Sequence, residues 1–358
     1  MKSARVAAFT DDPADIRIED VPVPEPAAGE VRVRMLLSPV LPSDLYFAGG
    51  TYYRALERVI WNQGRPAADA AVYFDPERTT VCPVPPYALG REGVGIVEEC
   101  GSGFLAKRLL GKRVAVAGGP PNGTWQESVV VNAKRAVVVP DRIDDEQAAM
   151  FLANPISACA LVRDVLRVPR GAWLLLTAAG STLGKGIVRM GRRDGFRTLC
   201  VVRSDANTEQ LRALGADVVV DTSRDDLVAE VARITGGQGV RYALDCVGGE
   251  LAADVVRCLG LGGHLVLYGT LATGPIPVAV RDLMMPMARV SGFYLGNWLS
   301  QQSPLKMLGL LRTVRKLALE GVFETQVTDT FPLDEVSQAV TTAIAPGRTG
   351  KVMLRIGS

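Results

Sequence analysis

The stretch Gly171-Ala-Trp-Leu-Leu-Leu-Thr-Ala-Ala-Gly-Ser-Thr-Leu-Gly184 decides the fold of the second half of this chain. The apolar run from Trp173 to Leu176 predicts a buried strand, and the small residues from Ala178 to Gly184 predict a tight turn that approaches a bound group closely. A helix is predicted next, because apolar residues recur at helical spacing from Leu183 to Met190. This order is typical of a site that binds a dinucleotide pyrophosphate at a helix N-terminus.

The residue after the next strand predicts which dinucleotide binds. Thr198 to Val202 is predicted as a strand, and Arg203 follows it where an NAD site usually carries an acidic residue for the ribose hydroxyls. An arginine there would pair with a 2′-phosphate, with hydroxyl help from Ser204, so the sequence predicts NADPH. Asp205 follows closely, and its carboxylate would weaken phosphate binding by like-charge repulsion.

Strands and helices keep alternating after this point. The strict G-x-G-x-x-G pattern is absent, so the prediction depends on this wider context. The further predicted strands are Asp217 to Val220, Tyr242 to Asp245, the run from His264 to Tyr268, and Val290 to Tyr294. Such alternation predicts an α/β fold with a doubly wound parallel Rossmann sheet covered on both faces.

The chain before residue 154 has a different pattern, in which Gly and Pro separate short strands. These strands are predicted at Arg5 to Thr10, Ile16 to Asp20, Val31 to Leu37, Gly93 to Glu98, Arg113 to Ala117 and Gln126 to Val131. They predict a mainly antiparallel, partly open, barrel-like domain.

We therefore expect a catalytic domain at residues 1–153, a cofactor-binding domain at 154–300, and a return to the first domain at 301–358. The return contains a predicted helix near Leu305 to Leu319 and strands around Thr325 to Phe331 and Lys351 to Ile356. The aromatic and proline-rich stretch 53–86 is predicted to be an insertion that forms a lid or a wall of the substrate pocket.

Bulk properties narrow the class of protein. A chain of 358 residues can bury two cores, and a net charge of +2 disfavours nucleic acid or an anionic membrane as a partner. No apolar run is long enough to span a bilayer and the N-terminus lacks a signal-peptide core, so we expect a soluble, cytoplasmic protein. The six cysteines form no C-x-x-C pair, which favours buried thiols.

Several blocks, in this order along the chain, resemble the medium-chain dehydrogenase/reductase superfamily. They are Ser38-Pro-Val-Leu-Pro-Ser-Asp44, Gly90-Arg-Glu-Gly-Val-Gly95, Gly123-Thr-Trp-Gln-Glu127, Asn154-Pro155, Asp245-Cys-Val-Gly248 and Gly350-Lys-Val-Met353. The turn and the segment ending at Arg203 are similar to the NADPH-dependent 2-enoyl thioester reductase and quinone reductase branches, and we favour the enoyl-reductase branch.

The resemblance also argues against a catalytic zinc ion. The three positions that carry zinc ligands in the alcohol dehydrogenases of the superfamily are occupied here by Leu41, Arg91 and Asn154. Without a metal to polarise an alcohol oxygen, reduction of an activated carbon–carbon double bond is the expected chemistry. The single histidine, His264, is either a strand residue or a neighbour of the cofactor.

A tyrosine is the expected proton donor. In enoyl thioester reductases of this type a tyrosine follows the Pro-Ser-Asp block at a short fixed distance, and counting on from Pro42-Ser43-Asp44 reaches Tyr52, with Tyr53 as the adjacent alternative. A phenol with a pKa of about 10 is neutral at pH 7 and can donate a proton. The alternative is that Tyr52 only packs against its neighbours.

The remaining predicted site residues bind the cofactor. They are Asn154, Gly180, Ser181, Thr182, Leu183, Gly184, Arg203, Ser204, Val247, Tyr268, Phe293, Tyr294 and Lys351. Asn154 could instead cap the helix that follows it. The aromatic residues could form core or dimer contacts, and Lys351 could be a solvated residue at a strand end.

The sequence thus predicts reduction of a small-molecule 2-enoyl thioester, carried on CoA or an acyl carrier, by a homodimer with no nucleic-acid or membrane partner. Two alternatives stay open. One is an NADPH:quinone oxidoreductase, and the other is an NADPH-binding protein without turnover. The acyl group and its carrier are not given by the sequence.

Overall fold

The computed structural model describes residues 1–57, 84–345 and 349–357. Its strands are β1 (Lys2–Val6), β2 (Arg17–Asp20), β3 (Glu30–Pro39), β4 (Tyr87–Ala88), β5 (Glu92–Cys100), β6 (Arg113–Ala117), β7 (Ser128–Asn132), β8 (Ala136–Val138), β9 (Trp173–Leu176), β10 (Arg197–Val202), β11 (Val218–Asp221), β12 (Val240–Asp245), β13 (Leu259–Leu267), β14 (Arg289–Gly292), β15 (Val327–Pro332) and β16 (Lys351–Arg355). Most of the insertion predicted at 53–86 lies outside the described residues.

Its helices are α1 (Pro42–Ala48), α2 (Thr51–Glu57), α3 (Phe104–Leu109), α4 (Asp145–Ala149), α5 (Ala153–Cys159, continued by a π-helical turn), α6 (Thr182–Asp194), α7 (Thr208–Leu214), α8 (Leu227–Thr235), α9 (Gly249–Arg257), α10 (Val280–Met284), α11 (Leu295–Ser300), α12 (Pro304–Leu319) and α13 (Val336–Ile344). None of the described helices is both long and apolar enough to cross a membrane.

The chain divides into two compact units. The first comprises Met1–Ala153, Leu299–Leu319 and Glu324–Ser358, and the second comprises Asn154–Trp298 and Glu320–Phe323. The assignment of catalysis to one domain and cofactor binding to the other stays a prediction.

The second unit is built on a six-stranded sheet. Its strand order is β11-β10-β9-β12-β13-β14, and every neighbouring pair is parallel. The order reverses between β9 and β12, which is where doubly wound folds bind their ligands. Leu174, Leu175 and Leu176 of β9 are fully buried, as expected for a central strand covered on both faces. The predicted doubly wound fold is confirmed.

The connection from β9 to α6 has a tightly constrained backbone. Ala178 takes a positive φ of 46°, and the Ser181 hydroxyl accepts a 3.1 Å hydrogen bond from the amide of Gly184 to cap the helix. At the other end, Gly195 adopts φ +84°, the left-handed conformation that commonly ends helices. The glycine and serine in this segment therefore fix where α6 begins and ends.

A buried polar contact joins the two central strands at their carboxyl ends. The Thr177 hydroxyl, directly after β9, donates a 2.6 Å hydrogen bond to the Asp245 carboxylate at the end of β12. The same hydroxyl accepts from the Cys246 amide at 3.2 Å, and Asp245 also accepts from the Gly248 amide at 2.7 Å. Thr177 and Asp245 are both fully buried, so these bonds satisfy groups that water cannot reach.

The first unit contains two sheets. The larger has the order β15-β16-β3-β5-β6-β8, with β7 also pairing with β3, and the smaller has the order β2-β1-β4. Only the β15–β16 pair is parallel among the strand pairs described in this unit. The predicted mainly antiparallel architecture is confirmed.

The first predicted strand was misplaced. The apolar run led us to expect Arg5 to Thr10, whereas β1 spans Lys2–Val6 and pairs with β2 from Lys2 to Arg5. The polar Ser3 is fully buried because its hydroxyl hydrogen-bonds the Gln126 side chain at 3.2 Å. A buried polar residue of this kind cannot be recognised from an apolar pattern.

The described cysteines carry free thiols. Cys159, Cys200, Cys246 and Cys258 are buried, and burial raises the pKa of the Cys200 thiol to about 12. These thiols stay protonated at neutral pH. Cys82 lies outside the described residues.

Replacing Thr177 by Val should destabilise the second unit by about 1–3 kcal/mol, because the buried Asp245 carboxylate loses a hydrogen bond that nothing replaces. Urea denaturation of parent and variant measures this cost. The control is Thr341→Val on the exposed surface of α13, which should change stability by less than about 0.5 kcal/mol. Equal denaturation midpoints for Thr177→Val and the parent would contradict the assigned role.

Candidate functional site

Apart from Asn154, which lies on α5, the predicted cofactor residues of the second unit follow the carboxyl ends of its parallel strands, and these ends share one edge of the sheet. The turn with Gly180, Ser181, Thr182, Leu183 and Gly184 follows β9, Arg203 and Ser204 follow β10, Val247 follows β12, Tyr268 follows β13, and Phe293 and Tyr294 follow β14. The structure therefore brings these residues to one edge of one sheet.

The turn after β9 leaves no room for side chains at its glycines. A Cβ at Gly180 would lie 2.9 Å from the side-chain amide of Asn207, and a Cβ at Gly184 would collide with the backbone of Ala179. Glycine at these positions lets the backbone pack closely and leaves the N-terminus of α6 accessible. This is the shape that a pyrophosphate requires.

Two buried polar atoms beside this turn have no hydrogen-bond partner in the part of the chain that the structure describes. They are Oδ1 of Asn207 and Oγ1 of Thr208, at the start of α7. Orphaned buried acceptors are rare in folded proteins, so the pair fits a site that a polar ligand completes. Sequence analysis missed both residues.

Arg203 is exposed directly after β10, so its guanidinium is accessible to a ligand. The Asp205 carboxylate, which we expected to oppose phosphate binding, lies 3.8 Å from the guanidinium of Arg224. Arg224 also lies 3.1 Å from the Asp221 carboxylate at the end of β11. The repulsion expected from Asp205 is therefore partly neutralised by a cation from the neighbouring strand connection.

Asn154 does not cap a helix, contrary to one of the two interpretations. Helix α5 begins at Ala153, which places Asn154 inside the first turn. Its Nδ2 atom is buried and has no hydrogen-bond partner among the described residues. An amide donor of this kind is available for a ligand, and its contact with a cofactor stays a prediction.

The aromatic residues of the second unit lie at strand ends. The Tyr268 amide donates a 2.8 Å bond to the Asp245 carbonyl, and burial beside Cys246 raises the pKa of the Tyr268 phenol well above its usual value. The Phe293 and Trp298 rings are 6.2 Å apart. His264 lies on β13 with Nε2 2.7 Å from the Ser291 hydroxyl, and burial lowers its pKa, so it stays neutral at pH 7.

In the first unit, Tyr52 lies on α2. Its ring contacts Phe47 edge-on at 5.0 Å and Tyr46 at 5.6 Å, and it packs against the hydrophobic core. Tyr53 faces Phe9 at 5.3 Å. The structure thus shows that Tyr52 packs against its neighbours, and its catalytic role stays a prediction.

Two buried carboxyl groups in the first unit were missed by sequence analysis. Asp44 accepts a 2.8 Å bond from the Leu41 amide, and Glu92 accepts from the amides of Leu152 at 3.2 Å and Ala153 at 2.8 Å. Both side chains are 1% exposed, and each has a second oxygen with no hydrogen-bond partner in the described chain. Their positions in the motif blocks gave no sign of this burial.

Burial raises the pKa of Asp44 and that of Glu92 to about 7. The positive charges of Arg91 and Lys351 oppose this effect in both cases. Lys351 is 6% exposed, so the interpretation of a solvated strand-end lysine is wrong. The buried Lys351 ammonium stabilises the ionised forms of Asp44 and Glu92, which burial disfavours.

The residues at the three expected zinc-ligand positions do not form a zinc site. Leu41 is an apolar residue, and Arg91 carries a permanent positive charge, so neither donates a lone pair to a metal. Among residues 1–57, 84–345 and 349–357, no three His, Cys, Asp or Glu side chains cluster as a metal site would require. These positions therefore do not suit a catalytic zinc ion.

Comparisons with known proteins agree with this fold. A family model described as zinc-binding dehydrogenase matches residues 182–312. The mitochondrial enoyl-[acyl-carrier-protein] reductase of Xenopus tropicalis is 27% identical, over 95% of this chain and 91% of its own length. The Arabidopsis thaliana protein of the same name is 28% identical, over 94% of this chain and 82% of its own length.

Solved structures give the same result. A Bacillus thuringiensis protein provisionally assigned as an NADPH:quinone reductase is 30% identical, with a TM-score of 0.86 and 99% of each chain covered. The Escherichia coli quinone oxidoreductase, solved in complex with NADPH, shares the fold at 21% identity, with a TM-score of 0.84 over 99% of this chain and 100% of its own.

The buried carboxyls generate a pH prediction. Because their pKa values are raised on folding, the folded protein binds more protons than the unfolded chain between about pH 4.5 and 7. Their contribution to stability is therefore full at low pH, is lost progressively as the pH rises from about 4.5, and is gone once the pH has passed about 7. The slope is up to about 1.4 kcal/mol per pH unit and per carboxyl.

Glu92→Gln should remove the part of this slope that Glu92 contributes, so that the variant loses less stability than the parent between pH 5.5 and 8.0. Urea denaturation at both pH values measures the difference. Glu99→Gln, on the same strand and with a side chain that is 46% exposed, should follow the parent. A parent-like slope in Glu92→Gln would show that Glu92 ionises normally.

Arg203→Ala should weaken the binding of a 2′-phosphorylated dinucleotide and leave its dephosphorylated counterpart nearly unchanged. A charge-assisted hydrogen bond contributes about 1.5–3 kcal/mol, so NADPH affinity should fall roughly ten- to a hundredfold. Calorimetric titration with NADPH and NADH measures both, and Arg212→Ala on the exposed face of α7 is the control. Equal affinity of the parent for the two dinucleotides would mean that Arg203 confers no preference.

Proposed function

The chain belongs to the zinc-free branch of the medium-chain dehydrogenase/reductase superfamily, and we propose that it reduces the activated double bond of 2-enoyl thioesters with NADPH. The observation that carries this proposal is its similarity to enoyl-[acyl-carrier-protein] reductases over nearly the whole chain. That similarity spans both units, so it includes the residues that we assign to substrate as well as those assigned to cofactor.

NADPH is the cofactor that the second unit fits. The glycine turn after β9 and the N-terminus of α6 would hold the pyrophosphate, and Arg203 with Ser204 would bind the 2′-phosphate. The unpartnered atoms of Asn207 and Thr208 supply further polar contacts. Bound there, NADPH supplies the hydride that the substrate β-carbon receives.

The residues of the chain must then provide the proton and stabilise the developing charge. As the β-carbon gains its new bond, the electron pair of the double bond shifts towards the carbonyl and leaves an enolate. Tyr52 gives its phenolic proton to the α-carbon, which completes the saturated thioester, and the tyrosinate regains a proton from solvent. Its contacts with Phe47 and Tyr46 hold the ring in a fixed orientation for this transfer.

Quinone reduction is the second candidate function, because structural neighbours are named as quinone reductases. It would use the same cofactor site but would not need a proton donor placed at an α-carbon. A nucleotide-binding protein without turnover is the third. The three are separated by following NADPH absorbance with 2-enoyl thioesters, enones and quinones under one set of conditions.

Reduction of enoyl thioesters at a higher catalytic efficiency than quinones supports the proposal. Reduction of quinones alone would replace it with the second function. Tight NADPH binding without oxidation by any member of the panel would leave only the third.

We extend the proposal to partners and location. The acyl group would be carried on CoA or an acyl carrier, and the protein would be a homodimer in the cytoplasm. The dimer is supported by β14, an exposed strand at the edge of its sheet, and by exposed Met284, Met285 and Met287 nearby. An unpaired edge beside apolar side chains is a surface suited to self-association. The word "mitochondrial" in the names of the similar enoyl-[acyl-carrier-protein] reductases describes those proteins.

Tyr52→Phe should lower turnover of the best enoyl thioester by about 10²- to 10⁴-fold, the usual contribution of general acid catalysis. NADPH affinity should stay at the parent value, because the lost interaction belongs to the transition state. Steady-state kinetics and NADPH titration measure both.

Tyr53→Phe is the matched control, since it makes the same change at the next residue of the same helix. If turnover falls in Tyr53→Phe and stays at the parent value in Tyr52→Phe, the proton donor is Tyr53. Parental turnover in both variants would show that neither phenol is the proton donor.

A further inference from the structure

The proposed function does not yet use the guanidinium of Arg91 in the first unit. Arg91 is partly buried immediately before β5, at a position where zinc-dependent relatives are expected to carry a metal ligand. A guanidinium has five N–H donors and no acceptor, and partly buried arginines normally pair these donors with carboxylates or carbonyls.

Within the described residues, the Arg91 side chain makes no hydrogen bond or ion pair. Its contact is with an aromatic face, since the guanidinium carbon lies 5.0 Å from the centroid of the Phe47 ring. The two nearby carboxyl groups direct their bonded oxygens to backbone amides instead, Asp44 to Leu41 and Glu92 to Ala153. The donors of Arg91 are therefore available to a ligand.

The surrounding backbone holds this side chain in place. The Arg91 carbonyl accepts a 2.8 Å bond from the Gly118 amide, and a Cβ at Gly119 would collide with Nη1 of Arg91. Gly119 also takes φ +138°, which disfavours any larger residue. The cation–π contact with Phe47 favours this orientation of the guanidinium. The guanidinium is thus fixed without using its donors.

The Phe47 ring that holds Arg91 also contacts Tyr52. Each lies 5.0 Å from the Phe47 centroid, so the guanidinium carbon and the Tyr52 ring are at most about 10 Å apart. A permanent cation with unused donors thus lies near the expected site of proton donation.

We propose that Arg91 binds the negatively charged oxygen of the substrate. This inference rests on the proposed function for its substrate class, an α,β-unsaturated carbonyl compound. The oxygen could be the enolate oxygen that develops during reduction, or a carboxylate that the substrate carries permanently. Both groups present the same chemistry to a guanidinium. Each is a negatively charged oxygen on a planar carbon framework, and each accepts charge-assisted hydrogen bonds.

The first experiment needs no turnover. Crotonate is titrated calorimetrically into protein saturated with NADP⁺, which cannot reduce it, and crotonamide serves as the uncharged control ligand. Arg91→Gln should weaken crotonate binding at least tenfold and leave crotonamide and NADP⁺ binding unchanged. Arg91→Lys keeps the charge and tests whether the fork geometry matters. Arg34→Gln makes the matched change at an ion-paired arginine of the same sheet and should behave as the parent.

The second experiment distinguishes the two sources of the oxygen. The substrate is crotonyl pantetheine, whose reacting carbonyl and carrier are both uncharged. If Arg91 binds the enolate, kcat of Arg91→Gln should fall about 10²- to 10³-fold, as for loss of an oxyanion donor. If it binds a permanent carboxylate, only crotonate binding should fall and kcat should stay at the parent value.

Equal crotonate affinity and equal kcat in the parent and Arg91→Gln would overturn the proposal. A parent that reduces no enoyl thioester would defeat the proposed function instead, and the crotonate titration would still report on Arg91. Unchanged NADP⁺ binding in Arg91→Gln shows that this variant is folded. If Arg91→Gln does not fold, the same measurements are made on Arg91→Lys.

Discussion

The buried hydrogen bond between Thr177 and Asp245 is the contact on which the cofactor edge of the second unit depends. It joins the ends of β9 and β12, the two neighbours between which the strand order reverses. Because Asp245 also accepts from the Gly248 amide, the same carboxylate fixes the connections that follow both strands. The glycine turn and Val247 therefore start from rigid positions. A ligand that approaches this edge meets a preformed backbone, which lowers the entropy cost of binding it.

The first unit buries charge for a different reason. Asp44 and Glu92 bind backbone amides at the starts of α1 and α5, while Lys351 supplies a buried opposite charge. Arg91 and Lys351 supply the positive charge that acts on both carboxyls. The buried carboxyls and the fixed cations are thus two parts of one electrostatic arrangement. A cation that is held by an aromatic ring can still offer its donors to a substrate.

The sequence predicted the parallel sheet well because its strands are buried on both faces and appear as apolar runs. The strands expected at Tyr242 to Asp245 and Thr198 to Val202 lie within two residues of β12 and β10. Prediction failed at positions where polar or charged side chains are buried. Ser3 extends β1 towards the N-terminus, and Lys351 is buried although it is charged, because distant partners satisfy both. The buried, unpartnered atoms of Asn207 and Thr208 and the two buried carboxyls were also missed, since no local pattern marks a polar atom as buried.

In the reaction that we propose, a 2-enoyl thioester gains a hydride at its β-carbon and a proton at its α-carbon. The most direct measurement is to reduce crotonyl pantetheine with NADPH deuterated at the transferred position, in ordinary water, and to locate the label by NMR. We expect one deuterium at the β-carbon of the product and none at the α-carbon. Deuterium at the α-carbon, or a product without deuterium, would contradict the proposed reaction.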